Sequence, residues 1–367
     1  MIATAIVFFV ILSVLIFVHE LGHFLTAKKL GIKVEEFGFG LPPRIFGFKK
    51  GETVYSLNWL PIGGFVKLFG EEGEEDLGGK NPKSREAKDR AFYSRPVWQR
   101  AIVLVAGVSM NFLLALVILT FLFTQGVMVP TDRVHIQKII KDTPAFAIGL
   151  KENDVIKSIK VKNAKGAEDT VEIKNADILS KTTRDHLGEQ ILLSVVRGGN
   201  TMQFIITPRR DFPKDQGPMG IVISNYEEKK YSLIEAPVLG MKEAFGLSYD
   251  LVKGITKTIW KMVTFQSVQK DVAGPLGIAQ MTGEAVKSGE AAILELLGLL
   301  SLNLAIVNIL PFPALDGGRL LFVVIEGITG KKVRTKWERT LHQIGMIVLL
   351  SLMLLVTLND ILRLFTK

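Results

Sequence analysis

Two histidines and a glutamate near the start of the chain have the spacing of a metal-dependent hydrolytic site. The segment reads His19-Glu20-Leu21-Gly22-His23. Residues four apart on a helix share one face, so both imidazoles can reach one metal ion. Glu20 projects about 100° away from His19 and can reach a water bound to that ion. Two imidazoles, a carboxylate from elsewhere and a water would make an open zinc site.

The location of this motif favours that chemistry. The motif ends an apolar run, Ile2 to Val18, which contains no charged residue and is long enough to cover roughly 25 Å of a bilayer core. Ionisable side chains are costly in lipid and rare there without a function. We therefore predict an uncleaved first transmembrane helix with the motif inside the membrane. The alternative is a pair of buried histidines and a glutamate that bind nothing.

Composition limits the class of protein. The chain of 367 residues is 48% hydrophobic and 22% charged, which indicates membrane helices combined with soluble modules. Cysteine is absent, so a metal site must use nitrogen and oxygen ligands. The net charge is +9, but acidic and basic residues are interleaved, which argues against nucleic acid as a partner. The basic excess instead favours the lipid bilayer.

A third ligand is predicted in the second half of the chain. The apolar segment 291–310 breaks at Pro311 and Pro313, which cannot continue a helix, and Asp316 follows. Non-helical backbone at membrane depth is tolerated only where it lines a cavity or is buried in protein. We therefore predict that Asp316 supplies the missing carboxylate.

Transmembrane helices are predicted at 1–30, 97–125, 291–318 and 341–365. Basic residues follow the first of them and fill the loop 331–340, and the positive-inside rule places both of these regions in the cytoplasm. Both chain termini would then lie outside, and the active site would lie toward the cytoplasmic side. In the second helix, Gly107 and Asn111 are four residues apart and are predicted to serve helix packing.

The segments between these helices are predicted to hold three further modules. Residues 31–96 indicate a membrane-associated β region, with a hairpin turn at Lys50-Gly51 and another strand at 63–69, followed by a charged loop. An exposed strand edge there could bind an unwound substrate, although a purely structural sheet is equally compatible. Residues 130–210 indicate an α+β module outside the membrane, and 211–285 a polar linker with an amphipathic interfacial helix.

The two metal-binding motifs together resemble the site-2 protease family of intramembrane zinc metalloproteases, especially its bacterial RseP-like members. The downstream motif is Asn308-Ile309-Leu310-Pro311-Phe312-Pro313-Ala314-Leu315-Asp316-Gly317. Segments 63–67 and 274–278, and Gly107 with Asn111, agree with the same family, and 143–156 resembles its PDZ domain. The fold class expected is an α-helical polytopic membrane protein with four transmembrane helices, a membrane-associated β-hairpin region and one inserted PDZ-like α+β domain.

This resemblance implies a zinc metalloendopeptidase of the bacterial cytoplasmic (inner) membrane, with one Zn²⁺ per chain. His19, His23 and Asp316 would bind the zinc, and Glu20 would be the general base. The residues expected to bind substrate are Asn308, Asn303, Gly63, Gly64, Phe65 and Val66. The expected partners are single-span membrane proteins, such as anti-sigma factors or signal-peptide remnants, which another protease has already trimmed on the outer side.

Two non-enzymatic functions compete with this hypothesis. A membrane metal carrier would also place His and Asp within helices, but it needs a second set of ligands along a path, and the sequence offers none. A PDZ scaffold would use the fold only for binding and would have no need of Glu20. Zinc-dependent peptide cleavage would distinguish the three functions.

Overall fold

The computed structural model describes residues 2–71, 89–162, 168–213, 216–264, 274–333 and 335–365. The helices are α1 (Ile2–Lys29), α2 (Val97–Gln125), α3 (Pro144–Ala147), α4 (Ala176–Asp185), α5 (Glu235–Val263), α6 (Pro275–Ser288), α7 (Glu290–Ile309), α8 (Asp316–Thr329) and α9 (Thr335–Phe365). The strands are β1 (Val34–Lys50), β2 (Thr53–Leu68), β3 (Val127–Ile139), β4 (Val155–Lys162), β5 (Glu168–Glu172), β6 (Ile191–Arg197), β7 (Asn200–Ile206) and β8 (Ile221–Lys229).

These elements form two compact units. One unit comprises Met1–Leu122 with Ser232–Lys367, and the other comprises Phe123–Tyr231. The charged loop that we predicted after β2 falls mostly on residues 72–88, which lie outside the described residues.

Four of the described helices, α1, α2, α7 and α9, are long and apolar enough to cross a membrane. They correspond to the four predicted spans, and they support a polytopic membrane protein. The third span differs from the prediction, because 291–318 is not one helix. α7 ends at Ile309, six non-helical residues follow, and α8 begins at Asp316. The two prolines in this segment explain the break.

β1 and β2 form one antiparallel sheet that folds back on itself. Residues 34–39 pair with 54–57 on one side and with 64–68 on the other, and 53–58 also pair with 44–50. Two strands thereby give four ribbons in the order 44–50, 53–58, 34–39, 64–68. The predicted turn at Lys50-Gly51 is present. The predicted strand at 63–69 is also present as residues 64–68, although it continues from the preceding strand within β2.

The reversal within β2 depends on glycine. Gly63 has φ +117°, in the region that L-residues with a side chain rarely adopt. Residues 41–60 of the sheet expose several large apolar side chains, and Trp59 is 67% exposed. The others are Leu41, Ile45, Phe46, Phe48, Leu57 and Leu60. A patch of this kind is typical of a surface that contacts lipid or another protein.

Two ion pairs hold α8 in place around the predicted cytoplasmic end of the first unit. The Arg100 guanidinium on α2 lies 2.5 Å from the Glu326 carboxylate on α8. Arg319, three residues after Asp316, pairs with Glu71 in the turn after β2. The Arg319 pair thus holds α8 near its first residue, and the Glu326 pair holds it near its last turn.

The glycines and the proline of residues 274–278 predict a loop, and this prediction is wrong because α6 begins there. Pro275 is the first helical residue, a position that proline favours because its missing N–H would be unpaired there. The backbone N–H groups of Gly274 and Gly277 donate to Asp360 Oδ2 of α9, at 3.0 and 3.1 Å. A carboxylate from another helix thus caps α6.

The second unit is built around a six-stranded sheet. The strand order is β7-β6-β4-β3-β8, and β5 pairs with β4. Its apolar core includes Val134, Ile136, Ile156, Ile159 and Leu193. The unit covers a longer stretch of the chain than the predicted 130–210 module. β3 begins at Val127, and β8 lies in the segment 211–235 that we predicted as linker. β8 carries a short apolar stretch, 221–223, within that polar segment.

A buried ion pair stabilises the turn before β4. The Arg197 guanidinium lies 2.7 Å from each oxygen of the Asp154 carboxylate, which is fully buried. Burial alone would raise the pKa of Asp154, but its hydrogen bonds with Arg197 and the Lys151 amide lower that pKa below its usual value. Asn153, just before it, has φ +69°, which asparagine tolerates better than most residues.

α5 is an amphipathic helix with an exposed apolar side. Its exposed large apolar residues include Val238, Phe245, Tyr249, Ile259 and Trp260. Lysines are interspersed along the same helix. The predicted helix is therefore present, and its position at the membrane surface stays a prediction.

Candidate metal centre

His19, His23 and Asp316 converge although nearly three hundred residues separate the two histidines from the aspartate. His19 Nε2 lies 2.9 Å and His23 Nε2 lies 3.3 Å from Asp316 Oδ2. The two Nε2 atoms are 3.2 Å apart. Both histidines are buried, with 7% and 8% of their surface exposed. Among the described residues, these three form a group able to hold one metal ion.

The spacing of these atoms fits zinc. Zinc–nitrogen and zinc–oxygen bonds are 2.0–2.1 Å, so neighbouring ligand atoms at the corners of a tetrahedron lie about 3.3 Å apart. The observed separations of 2.9, 3.2 and 3.3 Å are close to this value. Three protein ligands leave one corner open, which is the arrangement of a catalytic site.

The loop between α7 and α8 places Asp316 at this centre. Asp316 is the first residue of α8, immediately after the proline-containing break. The turn is tight, because a Cβ on Gly317 would lie within 2.3 Å of the carbonyl oxygens of Ile309 and Leu310. Ala314 takes φ +81°, a conformation uncommon for a residue with a side chain. Close packing and local strain therefore fix the position of the carboxylate.

α2 covers the other side of the histidines. A Cβ on Gly107 would lie 2.3 Å from His23 Nε2 and 2.8 Å from His19 Cε1. The Val103 carbonyl accepts a hydrogen bond from His23 Nδ1 at 2.8 Å, and Asn111 Nδ2 lies 3.4 Å from His19 Nδ1. Gly107 and Asn111 thus contact the imidazoles, a role that our prediction of helix packing missed. The sequence signals were their spacing and their agreement with the family pattern.

Glu20 lies beside the centre and against β2. Its carboxylate is half-buried and interacts electrostatically with both histidines and Asp316. A Cβ on Gly64 would lie 3.3 Å from Glu20 Cγ. The structure therefore places Gly64, one residue of the predicted substrate segment Gly63 to Val66, next to the predicted general base.

The two predicted asparagines differ in position. Asn308 Nδ2 lies 3.5 Å from His19 Nε2, close to where a substrate carbonyl would have to bind. Asn303 is half-buried on the same helix and lies about 140° around it from Asn308. Asn308 is thus at the candidate centre, whereas substrate contact by Asn303 stays a prediction.

A buried His-His-Asp cluster beside a glutamate, set among apolar helices, is the arrangement of a membrane-embedded metal-dependent hydrolase. A family model described as peptidase family M50 matches residues 7–352, and the chain belongs to that family. The predicted family and the predicted class of enzyme, a metalloprotease, are therefore confirmed.

Three similar proteins cover almost the whole chain. Regulator of sigma-W protease RasP from Bacillus subtilis is 33% identical, with 99% of each chain covered. Zinc metalloprotease RasP from Bacillus licheniformis is 34% identical, again with 99% of each chain covered. Zinc metalloprotease RasP from Geobacillus kaustophilus is 31% identical, with 98% of this chain and 97% of the relative covered.

Proposed function

We propose that this chain is an intramembrane zinc metalloprotease that hydrolyses a peptide bond within or near the transmembrane segment of single-span membrane proteins. The observation that carries the proposal is the convergence of His19, His23 and Asp316 at tetrahedral spacing among apolar helices. Family membership and the names of the relatives support zinc as the cofactor.

The residues of the site have separate roles in this proposal. His19, His23 and Asp316 hold the zinc, which would polarise the peptide carbonyl and lower the pKa of the attacking water. Glu20 accepts the proton of that water and later passes it to the leaving amine. Asn308 donates from its amide to the substrate backbone or to the developing oxyanion.

The outer ribbon of β2 is where we place the substrate. In the described sheet, residues 64–68 pair with 34–39 on one side only, and Gly64 lies against Glu20. A transmembrane helix hides its carbonyls in internal hydrogen bonds, so the substrate must unwind before cleavage. An unwound segment can then bind as an added strand, which supports Gly63, Gly64, Phe65 and Val66 as binding residues.

The location of the protein, its orientation in the membrane and its substrates are also part of this proposal. We place the protein in the bacterial inner membrane, with both termini and the second unit outside and the metal centre toward the cytoplasm. The second unit would act as one PDZ domain that docks substrates or filters them by size. A relative named regulator of sigma-W protease supports anti-sigma factors, or similar remnants, as substrates of a second cut.

A non-catalytic carrier or scaffold fits the described residues less well. A carrier needs successive metal sites, and one group of His, Asp and Glu side chains among the described residues has metal-binding geometry. A scaffold gives no reason for a glutamate held next to that group. Chemistry at the site is therefore the better explanation.

Removal of the metal tests the proposed function directly. Purified full-length protein in detergent should cleave a fluorescently tagged single-span substrate. A zinc chelator should reduce the rate by more than about 100-fold, because the open-site metal supplies both the activated water and carbonyl polarisation. Stoichiometric zinc should restore cleavage. Cleavage that persists in zinc-free protein, verified by elemental analysis, would exclude a zinc protease.

Substrate capture beside Glu20 predicts the effect of a larger residue at Gly64. In Gly64→Val, a branched side chain must enter the space 3.3 Å from Glu20 Cγ and displace either the glutamate or the bound strand. We expect cleavage to fall by about 100-fold while the zinc content stays at one per chain. Lys67→Val puts the same side chain at an exposed position of the same ribbon and is the matched control. Equal activity of the two variants would contradict this placement.

A further inference from the structure

One stripe of α2 faces both imidazoles of the candidate metal centre. Val103, Gly107 and Asn111 are four residues apart in turn and therefore share a face of the helix. Val103 contacts Nδ1 of His23, and Asn111 contacts Nδ1 of His19. In each histidine, the other nitrogen, Nε2, is the one that faces Asp316. Val103 and Asn111 of α2 thus contact the Nδ1 atoms, which are not the ring nitrogens facing Asp316.

The contact with Val103 determines which nitrogen of His23 carries the proton. A backbone carbonyl can only accept, so Nδ1 must donate across the 2.8 Å hydrogen bond. Nε2 is then left with a free lone pair that points toward the centre. His19 needs an equivalent acceptor on its Nδ1 if its Nε2 is also to bind a metal.

Asn111 is placed to be that acceptor. Its side chain is fully buried, and its Oδ1 has no hydrogen-bond partner among the residues that the structure describes. The two ends of a carboxamide have nearly the same shape, so a half-turn exchanges Nδ2 and Oδ1 without moving other atoms. After that exchange Oδ1 accepts the proton of His19 Nδ1, and the buried oxygen is paired.

The backbone of Asn111 is held from a different helix. Ser301 Oγ on α7 donates to the Asn111 carbonyl oxygen at 2.8 Å, and both residues are fully buried. α7 also carries Asn308, which lies next to His19 Nε2. The Ser301 bond packs α2 against α7 through the backbone of Asn111 and does not involve its carboxamide.

We propose that Asn111 is a positioning residue, whose carboxamide oxygen accepts from His19 Nδ1–H and thereby directs the lone pair of Nε2 to the metal. This inference rests on the proposed function, because it requires His19 to be a zinc ligand. It replaces the packing role predicted for Asn111. Its effect is on metal affinity and ring orientation, and it takes no part in bond cleavage.

Zinc affinity of the detergent-solubilised full chain tests the role of Asn111. Competition with a chromophoric chelator gives the dissociation constant for the wild type, Asn111→Leu, Asn111→Asp and Ser301→Ala. We expect Asn111→Leu to weaken zinc binding by about 10- to 100-fold, the usual effect of losing such a partner. Asn111→Asp keeps an acceptor oxygen and should restore affinity to within a few-fold. Ser301→Ala leaves the carboxamide in place and should bind zinc nearly as well as the wild type.

The outcomes separate this role from helix packing and from the proposed function. Asn111→Leu that binds zinc as tightly as the wild type would overturn the inference, as would Asp and Leu variants that lose affinity equally. A Ser301→Ala loss as large as that of Asn111→Leu would assign the effect to packing. If Asn111→Leu does not fold, Asn111→Ala removes the same acceptor without added bulk. A wild type that binds no zinc would instead refute the proposed function.

Discussion

Glu20→Gln is expected to reduce peptide cleavage by about 10²- to 10⁴-fold while the protein still binds one zinc ion per chain. Glutamine has nearly the same size and can still accept a hydrogen bond, but it cannot take a proton from water. The change therefore removes the general base and leaves His19, His23 and Asp316 unchanged. Cleavage of a model single-span substrate and elemental analysis of the same preparation measure the two effects together.

A variant that lacks one of the zinc ligands distinguishes loss of the general base from loss of the metal. His23→Ala should lose the zinc itself, because only two of the three converging atoms would remain. Glu20→Gln should lose activity with zinc bound, and it should retain uncleaved substrate that can be co-purified. Full activity of Glu20→Gln would end the assignment of Glu20 as the base, and unchanged zinc content in His23→Ala would remove His23 from the site.

The metal centre is the part of the molecule that the sequence predicts best. His19, Glu20 and His23 form a local pattern, and their separation on a helix follows from its geometry alone. Asp316 was predictable because prolines break an apolar segment immediately before it. These signals need no knowledge of how distant segments pack. The four apolar helices are predicted for the same reason.

Features that depend on long-range packing were missed or misplaced. The fold-back of β2 arises from pairing of 34–39 with two different segments, and local alternation does not show which strands pair. The strand β8 was missed because its short apolar stretch lies in a polar segment, and its pairing with β3 provides the stabilisation. Gly107 and Asn111 have the spacing of ordinary packing residues, and only the arrangement of α1 against α2 shows what they contact.

Gly107→Ala should severely weaken zinc binding although it adds a single methyl group. That group would lie 2.3 Å from His23 Nε2, the atom that must bind the metal, and 2.8 Å from His19 Cε1. Atoms this close cannot coexist, so the imidazoles must rotate away from each other or α2 must move outward. Either change separates the three ligand atoms. We expect zinc affinity to fall by more than about 100-fold and cleavage to be lost with it.

The zinc-dependent rise in Tm distinguishes loss of the metal from loss of the fold. A metal that binds only the folded state stabilises it by an amount that depends on its concentration and affinity. Zinc should raise the Tm of the wild type and leave the Tm of Gly107→Ala unchanged. Without zinc, the two proteins should melt at similar temperatures, because the imidazoles of the variant can rotate away from the added methyl group. Gly254→Ala on α5 is the matched control, since among the described residues no atom beyond the adjoining helix backbone lies within 4 Å of its added Cβ. Its zinc response should match the wild type, and an equal response in Gly107→Ala would show that α2 does not limit the space around the metal.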